Sequence, residues 1–514
     1  MKKLTVNSTK ERVQYIFIAA IICMTVFLQG GFFPSIIAGC GVLMCIICLF
    51  DMQSKVNIKK ISFPVIFSLW YVFCTVRTGF VLEYAAKAML PMILVIFFII
   101  VTSLSVDMRR QILTVIIKIS ILIACLSVIM CAVSSIKNTH IERALFPFQY
   151  SNACGIYFAL LAVISKASDD GFIKKFRIIF YIALLLTQSV GAVVLTVIVE
   201  LMCAKSKKRT VVIAVSVAAF TVVFHSRIYE SMGTFIERLL QIHDGALCIA
   251  DNPIFGIGAG KWSETRNFYQ TGFYTATLIH SSITQIAVDS GVVGLILFII
   301  SVVGLWDRNL FKNKECATCV AMFLLHSMMD FTMSFLGLDL LIILVAAQGY
   351  DRGSYKCINS KIRIPCISVI LIAAVIFEYG LFSAKNIENL FKNENYSRVV
   401  QKYEQSRYIQ HSPNAQLAYL KSLYNTGEHT KCAETIDGYT YKTTDMLILK
   451  SWCADNKVLL NTLYKQPYNE KIYDEIKEAG NEENKQAADL ILKDAVNNMS
   501  RLGKMLYQRT EVQK

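Results

Sequence analysis

Charged side chains are scarce in this sequence: Asp, Glu, Lys and Arg make up 17% of the 514 residues, against a hydrophobic share of 55%. An average soluble domain carries roughly 25% charged residues, which excludes a soluble protein of this size. Complete metal-ligand sets are missing too. Cys45/Cys48 and Cys316/Cys319 have C-x-x-C spacing, but no matching His or second Cys pair lies in a suitable loop, as zinc would require. No metal and no cofactor is therefore expected. Most other cysteines, such as Cys23, Cys40, Cys74, Cys125 and Cys203, are spread along apolar runs, where they act as small hydrophobes. Cys432 and Cys453 fall in a polar tail and are candidates to pair. A small-residue cleavage site is also absent after Leu28. The basic start and first apolar run accordingly read as a retained helix and not a signal peptide.

What is abundant is apolar runs long enough to cross a bilayer, each bounded by polar or charged residues. They read as about thirteen spans, at 13–29, 32–50, 61–80, 88–105, 111–134, 150–166, 175–189, 190–204, 210–225, 280–305, 315–335, 337–350 and 363–383. The formal net charge of +15 invites a nucleic-acid reading, but its distribution argues against one. Basic residues cluster at 2–12, 55–60, 109–110, 166–177, 205–209, 308–314 and 352–363, at every second helix end. That is the positive-inside pattern. It puts these segments and the N-terminus in the cytoplasm of a multi-pass cell-membrane protein, with no nucleic-acid partner. An odd number of spans then places everything after Ser383 outside the cell.

The expected fold class is all-α: a polytopic membrane helical bundle over 1–383, with a long outward loop at 227–279, then an extracytoplasmic helical domain over 384–514. Ordinary helix connections run about two to eight residues, so the loop is an anomaly of length. It carries Trp262, Phe268, Tyr269, Phe273 and Tyr274, too aromatic for disorder, and is expected to fold over the bundle. In the tail, 396–410, 414–426 and 429–437 read as short amphipathic helices. They suggest either a degenerate tetratricopeptide-like (TPR-like) array or a plain helical bundle, the repeat period not being clean.

Within the long loop, Glu237 to Asp251 reads as an amphipathic helix ended by Pro253. Ile254 to Gly260 then alternates glycine with apolar residues, a pattern that can form an anion-binding nest. No β-strand precedes it, as a nucleotide fold would require. Lys261 follows, and with Arg238 offers cationic charge to a diphosphate. His280 opens the next predicted span; an imidazole titrating near ~6.5 suits proton transfer, although a His there also serves as an interfacial anchor. Asp289, further down, marks a polar interior face. His326 and Asp330 are one helical turn apart on a predicted common face, either as a hydrogen-bonded pair between helices or as part of a site.

These residues form a pattern. Asn252-Pro253-Ile254-Phe255-Gly256-Ile257-Gly258, then His280 and Gly291-Val292-Val293-Gly294-Leu295, resembles the signature of the O-antigen ligase and polymerase family. Arg238, with Ile242, sits where that family has an Arg-x-x-x-Leu-like motif. Arg143 and Phe148-Gln149-Tyr150-Ser151-Asn152 are similar to its Asn-containing motif, and His326-Ser327-Met328-Met329-Asp330-Phe331 to its His-x-x-x-Asp-Phe motif. The resemblance covers about 140–335 and has one departure. Thr187-Gln188-Ser189-Val190-Gly191-Ala192 is similar to Thr-x-Ser-Arg-Gly-Ala, with Val190 in place of an arginine that in relatives is thought to hold lipid diphosphate. Arg143, Arg238 or Lys261 compensates, or activity is altered or absent.

The resemblance implies metal-independent glycosyl transfer at the outer membrane face. A glycan on undecaprenyl diphosphate would pass to a hydroxyl of a polysaccharide or other acceptor, for cell-surface polysaccharide synthesis. It makes His280 and Arg238 the catalytic candidates, with Arg143, Asn152, Lys261, His326 and Asp330 binding substrate. Arginine lowers the barrier as negative charge grows on the departing diphosphate, and His280 takes the acceptor's proton or orients it. Polymerase and ligase are both open, the tail being a place for an acceptor or protein partner. Two further readings differ in class. A non-catalytic exporter of lipid-linked glycan is motivated by Asp289, His326 and Asp330; a membrane anchor for the tail is the other.

Overall fold

The computed structural model describes residues 9–50, 55–56, 58–79, 81–204, 206–305, 308–350, 356–357, 360–439, 442–454 and 457–513. The basic N-terminal residues 1–8 and parts of the clusters at 55–60, 205–209 and 352–363 lie outside the described residues.

In a bilayer every backbone N–H and C=O must be satisfied within the chain, so apolar runs become helices. The first are α1 (Thr9–Phe27), α2 (Pro34–Phe50), α3 (Ile58–Arg77), α4 (Leu82–Ala88), α5 (Leu90–Ser103), α6 (Val106–Asn138) and α7 (Ser151–Ile164). There follow α8 (Gly171–Phe176), α9 (Ile178–Thr187), α10 (Val190–Met202), α11 (Lys207–Val223), α12 (His225–Asp251) and α13 (Trp262–Tyr269). The membrane part closes with α14 (Ser282–Leu305), α15 (Lys314–Ser327), α16 (Leu336–Ala347) and α17 (Ser360–Lys392). Lys55–Val56 and Lys356–Cys357 form a two-residue antiparallel ladder.

A helix occupies each of the thirteen predicted positions, but full-length spans are fewer. Among the described residues, five segments are long and apolar enough to cross a membrane: Lys60–Arg77, Leu82–Ser103, Val106–Asn138, Ser282–Leu305 and Arg363–Lys392. A sixth is gained if α11 and α12, bent by 83°, count as one. Helix α9 shows why, since its ten residues rise about 15 Å, half of a hydrocarbon core of roughly 30 Å. It ends at Gln188, whose φ of 53° is left-handed, and α10 starts two residues later. Lys166 pairs with Glu200, to which the Tyr181 hydroxyl also donates. The last residues of α7, the start of α9 and the end of α10 therefore share one end of the bundle. The Thr187–Ser189 turn lies at the other.

The long loop is largely helical. Helix α12 begins at His225, well before Glu237, and ends at Asp251. The glycine-rich turn after it differs in role from the predicted nest. Its N–H groups are already engaged: Ile257 donates to Val288 O, Gly258 to Asp289 O, and Ala259 to the Thr75 hydroxyl. These carbonyls are available because α14 breaks at Gly291, where φ is 71° and ψ is −178°. A Cβ on Gly291 would lie 2.2 Å from Ile254 O, and one on Gly256 2.3 Å from Val288 O. The glycine pattern thus interlocks the turn with the broken helix, which leaves these amides no anion to bind.

Helix α17 runs without interruption past Ser383 to Lys392. The tail then folds as α18 (Tyr396–Gln405), α19 (Pro413–Asn425), α20 (His429–Gly438), α21 (Thr444–Cys453), α22 (Lys457–Lys465), α23 (Glu470–Ala479), α24 (Glu482–Asn498) and α25 (Arg501–Gln513). It rests on the long loop. Thr271 and Ser500 exchange side-chain and backbone hydrogen bonds, Phe273 packs among Tyr468, Tyr473 and Tyr507, and Arg509 donates to Tyr229 O on α12.

Candidate functional site

Asp330 is the centre of a buried polar cluster. Helix α15 stops at Ser327, so Asp330 lies in the turn beyond it and does not share a helical face with His326, as its spacing suggests. The turn is fixed by α14, because the backbone N–H and hydroxyl of Ser282 both donate to Asp330 O, at 3.1 and 2.9 Å. These bonds use N-terminal helix donors that otherwise have no partner. His326 instead pairs through Nδ1 with the Thr332 hydroxyl at 2.7 Å.

The Asp330 carboxylate is 1% exposed, and one of its oxygens, Oδ2, takes three donors. They are the Tyr150 hydroxyl at 2.9 Å, Asn152 Nδ2 at 2.9 Å and Arg238 Nη2 at 3.0 Å. Arg238 Nη1 also donates to Met329 O at 2.6 Å. The other carboxylate oxygen, Oδ1, and Arg238 Nε are buried without a hydrogen-bond partner among the described residues. A donor and an acceptor of the cluster are thus buried close to the Arg238–Asp330 ion pair without being used by it.

Arg143 joins this cluster from the loop between α6 and α7. Its Nε donates to Thr187 O at 3.2 Å and its Nη2 reaches Asn152 Oδ1 at 3.5 Å. Burial, with Arg227 and Arg238 nearby, pushes this guanidinium down to about 10. Among the described residues it makes no ion pair. Arg227 pairs with Glu230 at 3.3 Å and Arg238 with Asp330. Of the three arginines only Arg143 has no carboxylate paired to it among the described residues, so its positive charge is the local excess. That excess stands beside the turn leading into Val190, where the sequence departs from the family pattern.

His280 lies in the loop before α14. Its Nδ1 is 2.8 Å from Gln241 Oε1, and its ring meets Phe331 edge-on at 5.1 Å between centroids. Burial pushes this imidazole down to about 4, with Asp330 opposing and Arg238 adding to the shift. It is a neutral base at physiological pH.

Lys261 is placed apart from these groups. It is 1% exposed, donates to Thr78 O, and is pushed down in pKa by burial, against the pull of Glu264. Of the residues singled out in the sequence, Arg143, Asn152, Arg238, His280 and Asp330 thus converge, and Lys261 does not. Tyr150 and Gln241 were missed. Tyr150 stands within the same five-residue motif as Asn152, and Gln241 one helical turn after Arg238, a spacing that puts both on one face.

Beneath the cluster an apolar cavity of 290 Å³ opens between α3, α5, α14 and α16. Phe67, Leu94, Phe98, Phe298, Phe323 and Ile342 line its walls, while Lys87, Gln285 and Asp289 supply polar groups. Ser282, which also lines it, is the residue bonded to Asp330, so cavity and cluster adjoin.

Residues 176–299 match the family model described as O-antigen ligase. The matched stretch holds Arg238, Gln241 and His280; Arg143, Asn152 and Asp330 lie outside it. Comparison with curated proteins gives no match.

Proposed function

We propose that this membrane protein of the O-antigen ligase family transfers a glycan from undecaprenyl diphosphate to an acceptor hydroxyl at the outer membrane face. The observation that carries the reading is the convergence of Arg143, Arg227 and Arg238, with Arg143 unpaired among the described residues, beside a neutral His280. Excess buried cationic charge favours an anionic ligand, and the donor's diphosphate is one.

In the reaction, a bond forms between the acceptor oxygen and the anomeric carbon as the bond from that carbon to the phosphate oxygen breaks. The acceptor's proton goes to Nε2 of His280, and the departing lipid diphosphate takes the electron pair. Arg143 and Arg238 oppose the charge that grows on it, in a partly buried site where such opposition counts for more than in open water. Arginine here does the work of a metal ion. The cavity below has the lining to take the first isoprene units of the carrier lipid.

The test is turnover of lipid-linked glycan by the purified protein in detergent. Arg238→Ala and His280→Ala should abolish product without lowering the amount of protein in the membrane. Normal product from both variants sinks the proposal. Cells lacking the protein separate polymerase from ligase: single repeat units accumulate in the first case, finished lipid-linked polymer in the second. A non-catalytic exporter is the second reading, favoured by the buried Asp289 and Asp339 along the cavity. Turnover in detergent, with no second compartment, would exclude it.

A further inference from the structure

We infer that Gln241 is a positioning residue: it holds His280 with the proton on Nδ1, so that Nε2 is the basic nitrogen presented to the acceptor. This deepens the glycosyl-transfer reading and rests on it. Two hydrogen bonds fix the Gln241 amide. The backbone N–H of His280, which can only donate, points at Gln241 Oε1 at 2.9 Å, so the atom there is the oxygen. The amide nitrogen of Gln241 donates to Glu237 Oε1 at 2.9 Å, which fixes the other end. His280 Nδ1, 2.8 Å from the same oxygen, must therefore be the donor. A neutral imidazole has one N–H, so Nε2 carries the lone pair. Nε2 takes no hydrogen-bond partner among the described residues.

The device is rigid. Gln241 is fully buried and stands one turn after Arg238 on α12, so one helix sets both the cation and the base. Phe331 limits the tilt of the imidazole. The charged groups facing the ring are Asp330 and Arg238, with Glu237 reaching it through Gln241. A glutamine serves better here than a carboxylate would. It selects the tautomer without adding a charge that would favour the protonated imidazole.

The experiment compares wild type, Gln241→Leu and Gln241→Glu for kcat, KM and pH profile in detergent. Gln241→Leu should lower kcat by about 10²-fold, the scale of a positioned general base, with KM for the lipid-linked donor unchanged. Gln241→Glu, made together with Glu237→Gln so that two carboxylates do not meet, keeps an acceptor for Nδ1–H and should retain activity. Its negative charge should move the acid limb of the profile upward by about one pH unit. An inactive Gln241→Glu enzyme, or one whose acid limb stays in place, overturns the inference, and so does Gln241→Leu with wild-type kcat. Should Gln241→Leu fail to accumulate, the Gln241→Glu profile decides. If wild type turns over and Arg238→Ala does not, while both Gln241 variants behave as wild type, this inference falls and the glycosyl-transfer reading stands. An inactive wild type takes both.

Discussion

Replacing Asp330 with alanine removes one oxygen that accepts from Tyr150, Asn152 and Arg238 together. Two of those donors are neutral, and each left buried without a partner costs about 1–3 kcal/mol. The third is a guanidinium, and breaking a buried ion pair by removing one member costs about 3–5 kcal/mol. The Arg238 side chain is 18% exposed, so water recovers part of its loss and the lower end applies. With the two neutral donors re-paired to water, the ion-pair loss alone remains, about 3 kcal/mol. Expressed on the barrier, that is about 10²-fold in rate, at ~1.4 kcal/mol per tenfold. Tyr150→Phe removes one neutral bond, worth about 1 kcal/mol, and should cost less than tenfold. The assay is product formation from lipid-linked glycan in detergent, with membrane content measured in parallel. An Asp330→Ala enzyme as active as wild type, or less impaired than Tyr150→Phe, would refute the idea that this carboxylate anchors Arg238.

Further predictions follow from the same geometry. Because His280 is pushed down to about 4, kcat should stay level from pH 8 to about 5 and fall only below that; a midpoint near the ordinary ~6.5 would contradict a buried neutral base. The sign for stability is the same. The unfolded chain binds the extra proton between about 6.5 and 4, so His280 destabilises the fold as pH drops through that window, and His280→Gln should flatten the pH dependence of thermal unfolding there. Arg143→Ala should abolish transfer, and Arg143→Ala/Val190→Arg should regain at least about tenfold, ~1.4 kcal/mol, if Arg143 supplies the charge absent at Val190; no recovery separates the two positions. Gly291→Ala puts a Cβ 2.2 Å from Ile254 O at a φ of 71° and should lower the melting temperature, by the ~1–3 kcal/mol of a strained left-handed residue or more.

The sequence was most informative where the physics is local. Repeated apolar runs report the cost of exposing backbone to lipid, and a helix stands at every predicted span. The tail's helices at Tyr396, Pro413 and His429 followed from their turn residues in the same way. The predicted boundary between 189 and 190 matches the start of α10, but run length did not reveal that α9 keeps only ten residues, because the residues before it form the separate short helix α8. The alternating glycines from Gly256 to Gly260 marked a turn of unusual backbone, and all three have positive φ. They did not show that its N–H groups answer carbonyls exposed by a break in α14, an exchange between distant parts of the chain. The site divides along the same line. The motifs name Arg143, Asn152, Arg238, His280 and Asp330, while Lys261, in the same stretch as the signature, is drawn away by Thr78. A sequence carries the transfer free energy and backbone preference of each residue. Which donor meets which acceptor across intervals of about a hundred residues, as Arg238 meets Asp330, is decided only when packed helices fix those atoms in place and bury them from water.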